Sequence, residues 1–207
     1  MDSLQIPSNP LLEHVKNRIF DGEFDIGPFG VINPYSYDVD IESYTNESRL
    51  KKIKQIYGDL FKASDINYTN IKLFTENPIV DGIGKNENRW HYHRVEELDL
   101  IVDEINKTYS KVFIPSGLFH YPPNGFCGWH TNSDYPGQRL YLVWVEEDNK
   151  SFFRYEENGE IITKWENKGW QINRFTAGKP EYWHCVGSYT NRVSIGFREL
   201  LKSEEKK

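Results

Sequence analysis

Apolar residues recur at helical spacing in the first half of the chain and in short alternating or continuous runs in the second. In ESRLKKIKQIYGDLFKAS (residues 47–64), Leu50, Ile53, Ile56, Tyr57 and Leu60 fall on one face of a 3.6-residue period with lysines between them, which predicts an amphipathic helix. VEELDLIVDEINKTYS (95–110) predicts another, with Leu98, Ile101, Val102 and Ile105 on a shared face. NPLLEHVKNRIF (9–20) predicts a shorter helix. The glycines and prolines of DGEFDIGPFGVINPYSYD (21–38) read as turns and edge strands.

From Lys111 onward the pattern changes. KVFIPSGLFHY (111–121), RLYLVWV (139–145), KSFFRY (150–155), GEIITKW (159–165), KGWQINRF (168–175), YWHCV (182–186) and NRVSIGFREL (191–200) read as seven strands. EENGE (156–160) is a hairpin signal between two of them. The expected fold is mainly β with N-terminal helices: residues 111–200 form a sandwich or barrel, and the helix-containing residues 1–110 cover it. The chain length of 207 residues fits one domain with its own core.

Composition adds two constraints. Hydrophobic residues are 38% of the chain but aromatics are 15%, so large rings are expected to carry much of the core. A formal charge of -6 gives no general electrostatic attraction to nucleic acid or anionic lipid, which makes nucleic acid an unexpected partner. The first residues lack the basic-then-apolar order of a signal peptide, no apolar run is long enough to span a bilayer, and Cys127 and Cys185 do not make a disulfide framework. The expected location is a reducing cytoplasm with no membrane attachment.

Candidate chemistry lies in the second half. Of six histidines, His130 and His184 stand out because each follows a tryptophan at the rim of a strand-like segment, and two such rims can meet in a barrel mouth. Alternation along residues 191–198 places Arg192, Ser194 and Gly196 on one face and Val193, Ile195 and Phe197 on the other. The first face can grip an anion: Arg192 has a planar fork suited to a carboxylate, Ser194 adds a hydroxyl, and Gly196 leaves room. Trp129 and Trp183 are expected to wall the pocket, while Cys127 and Cys185, an odd number of residues from the adjacent histidines, are expected to face away. His91 and His93 have a metal-compatible spacing but lack a nearby third ligand, so surface or capping roles are expected. Arg139 is expected to pair with an acidic residue.

YPPNGFCGWHTNSDYPGQR (121–139) followed by WHCVGSYTNRVSIGFR (183–198) resembles the iron(II)- and 2-oxoglutarate-dependent dioxygenases, most closely their prolyl-hydroxylase-like branch. The resemblance covers roughly residues 111–200. It implies a double-stranded β-helix, the jelly-roll barrel, with iron at its open end held by His130 and His184. It also implies that Arg192 and Ser194 hold the distal carboxylate of 2-oxoglutarate, with Tyr121 in contact with that cosubstrate. The implied reaction consumes O2 and 2-oxoglutarate, releases succinate and carbon dioxide, and hydroxylates a C–H bond, with ascorbate as an auxiliary reductant. The substrate would be a small molecule, an amino acid, or a residue in a peptide or protein.

The chain departs from the family pattern two residues after the first histidine, where Asn132 stands in place of aspartate. An amide oxygen can coordinate a cation but is neutral, so the site carries one more positive charge than a two-histidine, one-carboxylate triad. Three readings follow. Asn132 or water is the third ligand and catalysis survives; Asp134 turns back to supply the carboxylate; or the site is degenerate and the jelly roll is a non-catalytic ligand-binding protein.

Overall fold

The computed structural model describes residues 9–21, 40–57, 88–90, 96–132, 136–178 and 180–201. The turn-rich segment 22–39 and the pair His91 and His93 lie outside these residues. The helices are α1 (Asn9–Phe20), α2 (Ile41–Thr45), α3 (Glu47–Tyr57) and α4 (Glu96–Thr108). The strands are β1 (Asn88–Trp90), β2 (Phe113–Tyr121), β3 (Gly125–His130), β4 (Gly137–Val145), β5 (Ser151–Glu157), β6 (Glu160–Trp165), β7 (Gly169–Ala177), β8 (His184–Ser188) and β9 (Arg192–Glu199).

These strands form two antiparallel sheets, β1-β2-β9-β4-β7 and β3-β8-β5-β6. Consecutive strands from β2 onward switch between sheets, apart from the β5–β6 hairpin, and this order is that of a jelly roll. The expected fold class is the one observed. Asn158 and Gly159, at φ 54° and 84°, make the hairpin turn between β5 and β6, where two left-handed residues match the twist of the strands.

Helices cover the outer face of each sheet. Leu118, Leu140, Leu142, Val193, Ile195 and Phe197 of the first sheet pack against Leu12 and Val15 of α1 and Leu98 and Ile101 of α4. On the second sheet, Trp129, Trp183 and Cys185 meet Leu50 and Ile53 of α3, and Phe126 and Phe152 meet Ile41 of α2. Because both faces of β5 are covered at its start, the residues SFFR are all buried and show no clean in–out alternation.

The sequence pattern does not predict α2, which is too short to show a helical period. Asp40 starts it by accepting a hydrogen bond from the Glu42 amide at 3.0 Å. Arg154 of β5 then holds the helix down, donating to the Thr45 carbonyl at 2.9 Å and to Glu42 at 3.0 Å. Gly187 permits the close approach: a methyl group there would overlap the Phe152 ring and Ile41. Gly187→Ala is therefore expected to destabilise the fold by about 1–3 kcal/mol through overpacking. Chemical denaturation measures this, and an unchanged midpoint would mean that α2 does not sit against β8. No helix among the described residues is long and apolar enough to cross a membrane.

Candidate functional site at the barrel mouth

The interior between the sheets, the lumen of the barrel, holds a packed cluster of buried residues: Tyr121, Cys127, Phe153, Phe175, Ala177 and Val186. At one end His130, the last residue of β3, is paired in register with His184, the first residue of β8. The ring centroids are 4.1 Å apart. Nδ1 of His130 lies 2.7 Å from the Gly128 carbonyl and Nδ1 of His184 lies 2.9 Å from the Tyr182 carbonyl. A carbonyl only accepts, so in each ring the proton belongs on Nδ1 and Nε2 carries the lone pair. Backbone carbonyls orient metal-binding imidazoles in this way.

A bulge shapes the end of β3. Cys127 pairs with Val186 and His130 with His184, so three steps on β3 match two on β8. The extra residue turns both Cys127 and His130 into the lumen, which corrects the expectation that Cys127 faces away; its sulfur lies 3.5 Å from His130 Nδ1. Cys185 does face away, against α3. Trp129 and Trp183 also lie on the outer face with α3 and do not wall the pocket, because neighbours of inward-facing histidines point outward. The Trp129 indole donates to the Asn46 carbonyl at 3.0 Å. Aromatic rings surround His184 instead: Phe175 at 4.6 Å, Phe153 at 5.4 Å and Tyr182 at 5.7 Å between centroids.

Asn132 reaches the histidines by a turn and not by strand alternation. Its φ of 42° is left-handed, a conformation asparagine tolerates better than most residues. Its Nδ2 is 3.1 Å from His184 Nε2, donating to the lone pair there. The Nε2 edge of His184 therefore faces the turn that leaves His130. Arg139 stands behind this turn, buried, with Nη2 donating to the Asn132 carbonyl at 3.2 Å. Asp134, the alternative carboxylate, lies outside the described residues.

At the other end of the lumen Arg192 does grip an anion, and the anion is Glu166. Nε and Nη2 of Arg192 donate to the two Glu166 oxygens at 2.8 and 2.9 Å, and both residues are buried. Ser151 and Asn173 complete the carboxylate's shell at 2.7 and 2.8 Å. The Arg192 guanidinium lies 5.1 Å from the centre of the Tyr121 ring. Ser194, also buried, pairs in register with Phe119 and Val143. Gly196 leaves no empty space, because the Tyr141 ring covers it, 2.7 Å from where a Cβ would stand. Glu166 has no sequence signature: it is one acid among 31 and sits just past the end of a strand.

Two of these groups titrate below their ordinary values. Burial, helped by the nearby charge of His130, pushes His184 well below 6.5. Burial acts to raise Glu166, but Arg192 and the Ser151 and Asn173 hydrogen bonds outweigh it, so the carboxyl lies below 4.5. Both groups have a lowered folded-state value, so each contributes stability at high pH that is lost on acidification. The loss is expected to begin below 6.5 for His184 and below 4.5 for Glu166. Urea midpoints from pH 8 to 4 check this. A flat profile down to pH 5, or a first step that survives in His184→Gln, would contradict it.

The mouth suits a divalent ion of the iron or zinc class: two neutral imidazoles with fixed tautomers, and an amide whose oxygen can also coordinate. Among the described residues, no group of three His, Cys, Asp or Glu side chains that could hold a metal converges; the structure does bring His130, His184 and Asn132 together at the mouth. Arg192 Nη1 is buried and has no hydrogen-bond partner, and a buried donor is rarely left unsatisfied without a reason.

No family model matches the chain, and no curated protein matches it. Among solved structures it is similar to a prolyl-4-hydroxylase from Pseudomonas putida, with 15% identity over 56% of this chain and 72% of that one and a TM-score of 0.42. It is also similar to a 2OG-Fe(II) oxygenase family protein from Burkholderia pseudomallei, with 10% identity over 52% and 53% and a TM-score of 0.35. A cupin superfamily protein from Desulfitobacterium hafniense gives 11% identity over 45% and 71% and a TM-score of 0.31. Likenesses this distant assign no activity.

Proposed function

We propose that the protein is an iron(II)- and 2-oxoglutarate-dependent oxygenase that hydroxylates a C–H bond of an amino-acid, peptide, protein or small-molecule substrate. One observation carries this reading: the His130 and His184 rings stand 4.1 Å apart, with each Nδ1 against a backbone carbonyl. A histidine pair used only for packing has no need of two matched tautomers. In this reading His130 and His184 hold the ion through Nε2, and Asn132 lends its amide oxygen. Arg192 Nη1, Ser194 and Tyr121 meet the far end of the cosubstrate. Phe153 and Phe175 keep bulk water from the space beside His184. With iron bound, the reaction converts 2-oxoglutarate and O2 to succinate and carbon dioxide while the substrate gains a hydroxyl.

The test is succinate formation by the purified chain with iron(II), 2-oxoglutarate, O2 and ascorbate, which tolerates slow uncoupled turnover when the true substrate is missing. Succinate is expected from the wild type and none from His184→Ala. The second reading, a non-catalytic jelly-roll binding protein, is favoured by the Arg192–Glu166 pair, which already neutralises the guanidinium. Absence of both iron uptake and succinate would select it.

A further inference from the structure

The floor of the lumen is built to fix which edge of a guanidinium a ligand can reach. A carboxylate offers about four acceptor sites. On Glu166 all four are taken, by Ser151 Oγ, Asn173 Nδ2, and Nε and Nη2 of Arg192. The residue is 0% exposed, so neither solvent nor a ligand competes for it. Arg192 thereby loses its bidentate edge and its net charge to a residue of its own chain. What remains is Nη1, buried and without a partner. The guanidinium borders the Tyr121 ring, and Tyr121 belongs to the lumen cluster with Cys127 and Val186.

We propose that Glu166 is a positioning and specificity residue that makes this floor an electrically neutral, single-edge subsite. The acid bound above it is therefore chosen for a hydrogen-bond acceptor at its far end and not for a second negative charge. The proposal rests on the reading of the mouth as a metal site that takes a 2-oxo acid. A full carboxylate at Nη1 would be attracted by the guanidinium and repelled by the Glu166 carboxylate across it, and the two contributions largely offset, so the second negative charge gains little. A neutral carbonyl accepts from the same N–H without that repulsion. Ser194, on the same face of β9, adds a hydroxyl suited to either kind of acceptor.

The experiment compares 2-oxoglutarate with 2,5-dioxohexanoate, in which a methyl ketone replaces the far carboxylate. Binding to the manganese(II)-loaded full chain is followed by calorimetry under nitrogen. The wild type is expected to bind the two ligands with affinities within about tenfold of each other, because the floor presents no net charge. Glu166→Gln, which leaves Arg192 uncompensated, is expected to shift the ratio toward 2-oxoglutarate by about tenfold or more. Glu166→Asp keeps the charge and should keep the wild-type ratio, which a purely structural role for Glu166 would not predict. A wild type that prefers 2-oxoglutarate by more than about tenfold, or a folded Glu166→Gln protein with an unchanged ratio, overturns the proposal. If Glu166→Gln does not fold, the wild-type ratio decides alone. If neither ligand binds the metal-loaded wild type, or manganese is not taken up, the reading of the mouth fails and the subsite falls with it.

Discussion

Arg192→Leu is expected to lower the stability of the protein by about 3–5 kcal/mol, because it strands a carboxylate that the fold has removed from water. Glu166 is fully buried, and two of its four hydrogen-bond donors belong to Arg192. Without them the group must ionise unpaired or take up a proton, and either costs free energy. In a chain of this size the loss corresponds to a fall in Tm of about 6–20 °C. The double variant Arg192→Leu/Glu166→Leu removes both charges and is expected to recover most of that loss, since apolar side chains of similar volume replace buried ion pairs well. A thermal melt of the two variants checks both parts. If the single variant melts within about 2 °C of the wild type, well under the shift this loss implies, Glu166 is not isolated from solvent as described.

Asn132→Asp is expected to strengthen metal binding by about tenfold or more. It places a negative charge where the wild type has a neutral amide, and at contact distance from a divalent ion in a partly buried site this attraction exceeds the ~1.4 kcal/mol that a factor of ten represents. Aspartate also tolerates the left-handed backbone at this position, so the change introduces little strain. Competition with a coloured chelator measures the affinity. An unchanged or weaker affinity in a folded Asn132→Asp protein would mean that the third ligand comes from elsewhere, and Asp134→Ala would then be the variant that loses metal.

The parts of the fold legible in the sequence are those with a local cause. The helix over Asn9–Phe20 and the helices that begin near Glu47 and Glu96 follow from apolar spacing, and the β5–β6 hairpin follows from Asn158-Gly159. Seven of the strands follow from aromatic and β-branched runs. The strand that carries His130 was hidden. Gly125 and Gly128 lack strand propensity, and the bulge before His130 breaks the alternation by which a strand is recognised. That same bulge reversed the expected direction of Cys127. The two histidines and Asn132 could be picked out because their types and order are unusual. Glu166 could not, because its role depends on β6, β7 and β9 meeting in space, and nothing near it in sequence marks it as buried. The same holds for Phe175 and Phe153, which read as ordinary strand residues until β7 and β5 bring them against His184.

The most direct test of the metal site is an anaerobic titration of the full chain with iron(II) in the presence of 2-oxoglutarate, followed by visible charge-transfer absorption. The geometry at the barrel mouth predicts a band that saturates at a single ion per chain and is lost in both His130→Ala and His184→Ala. Absence of the band at saturating iron, or a band undiminished in both variants, would contradict it.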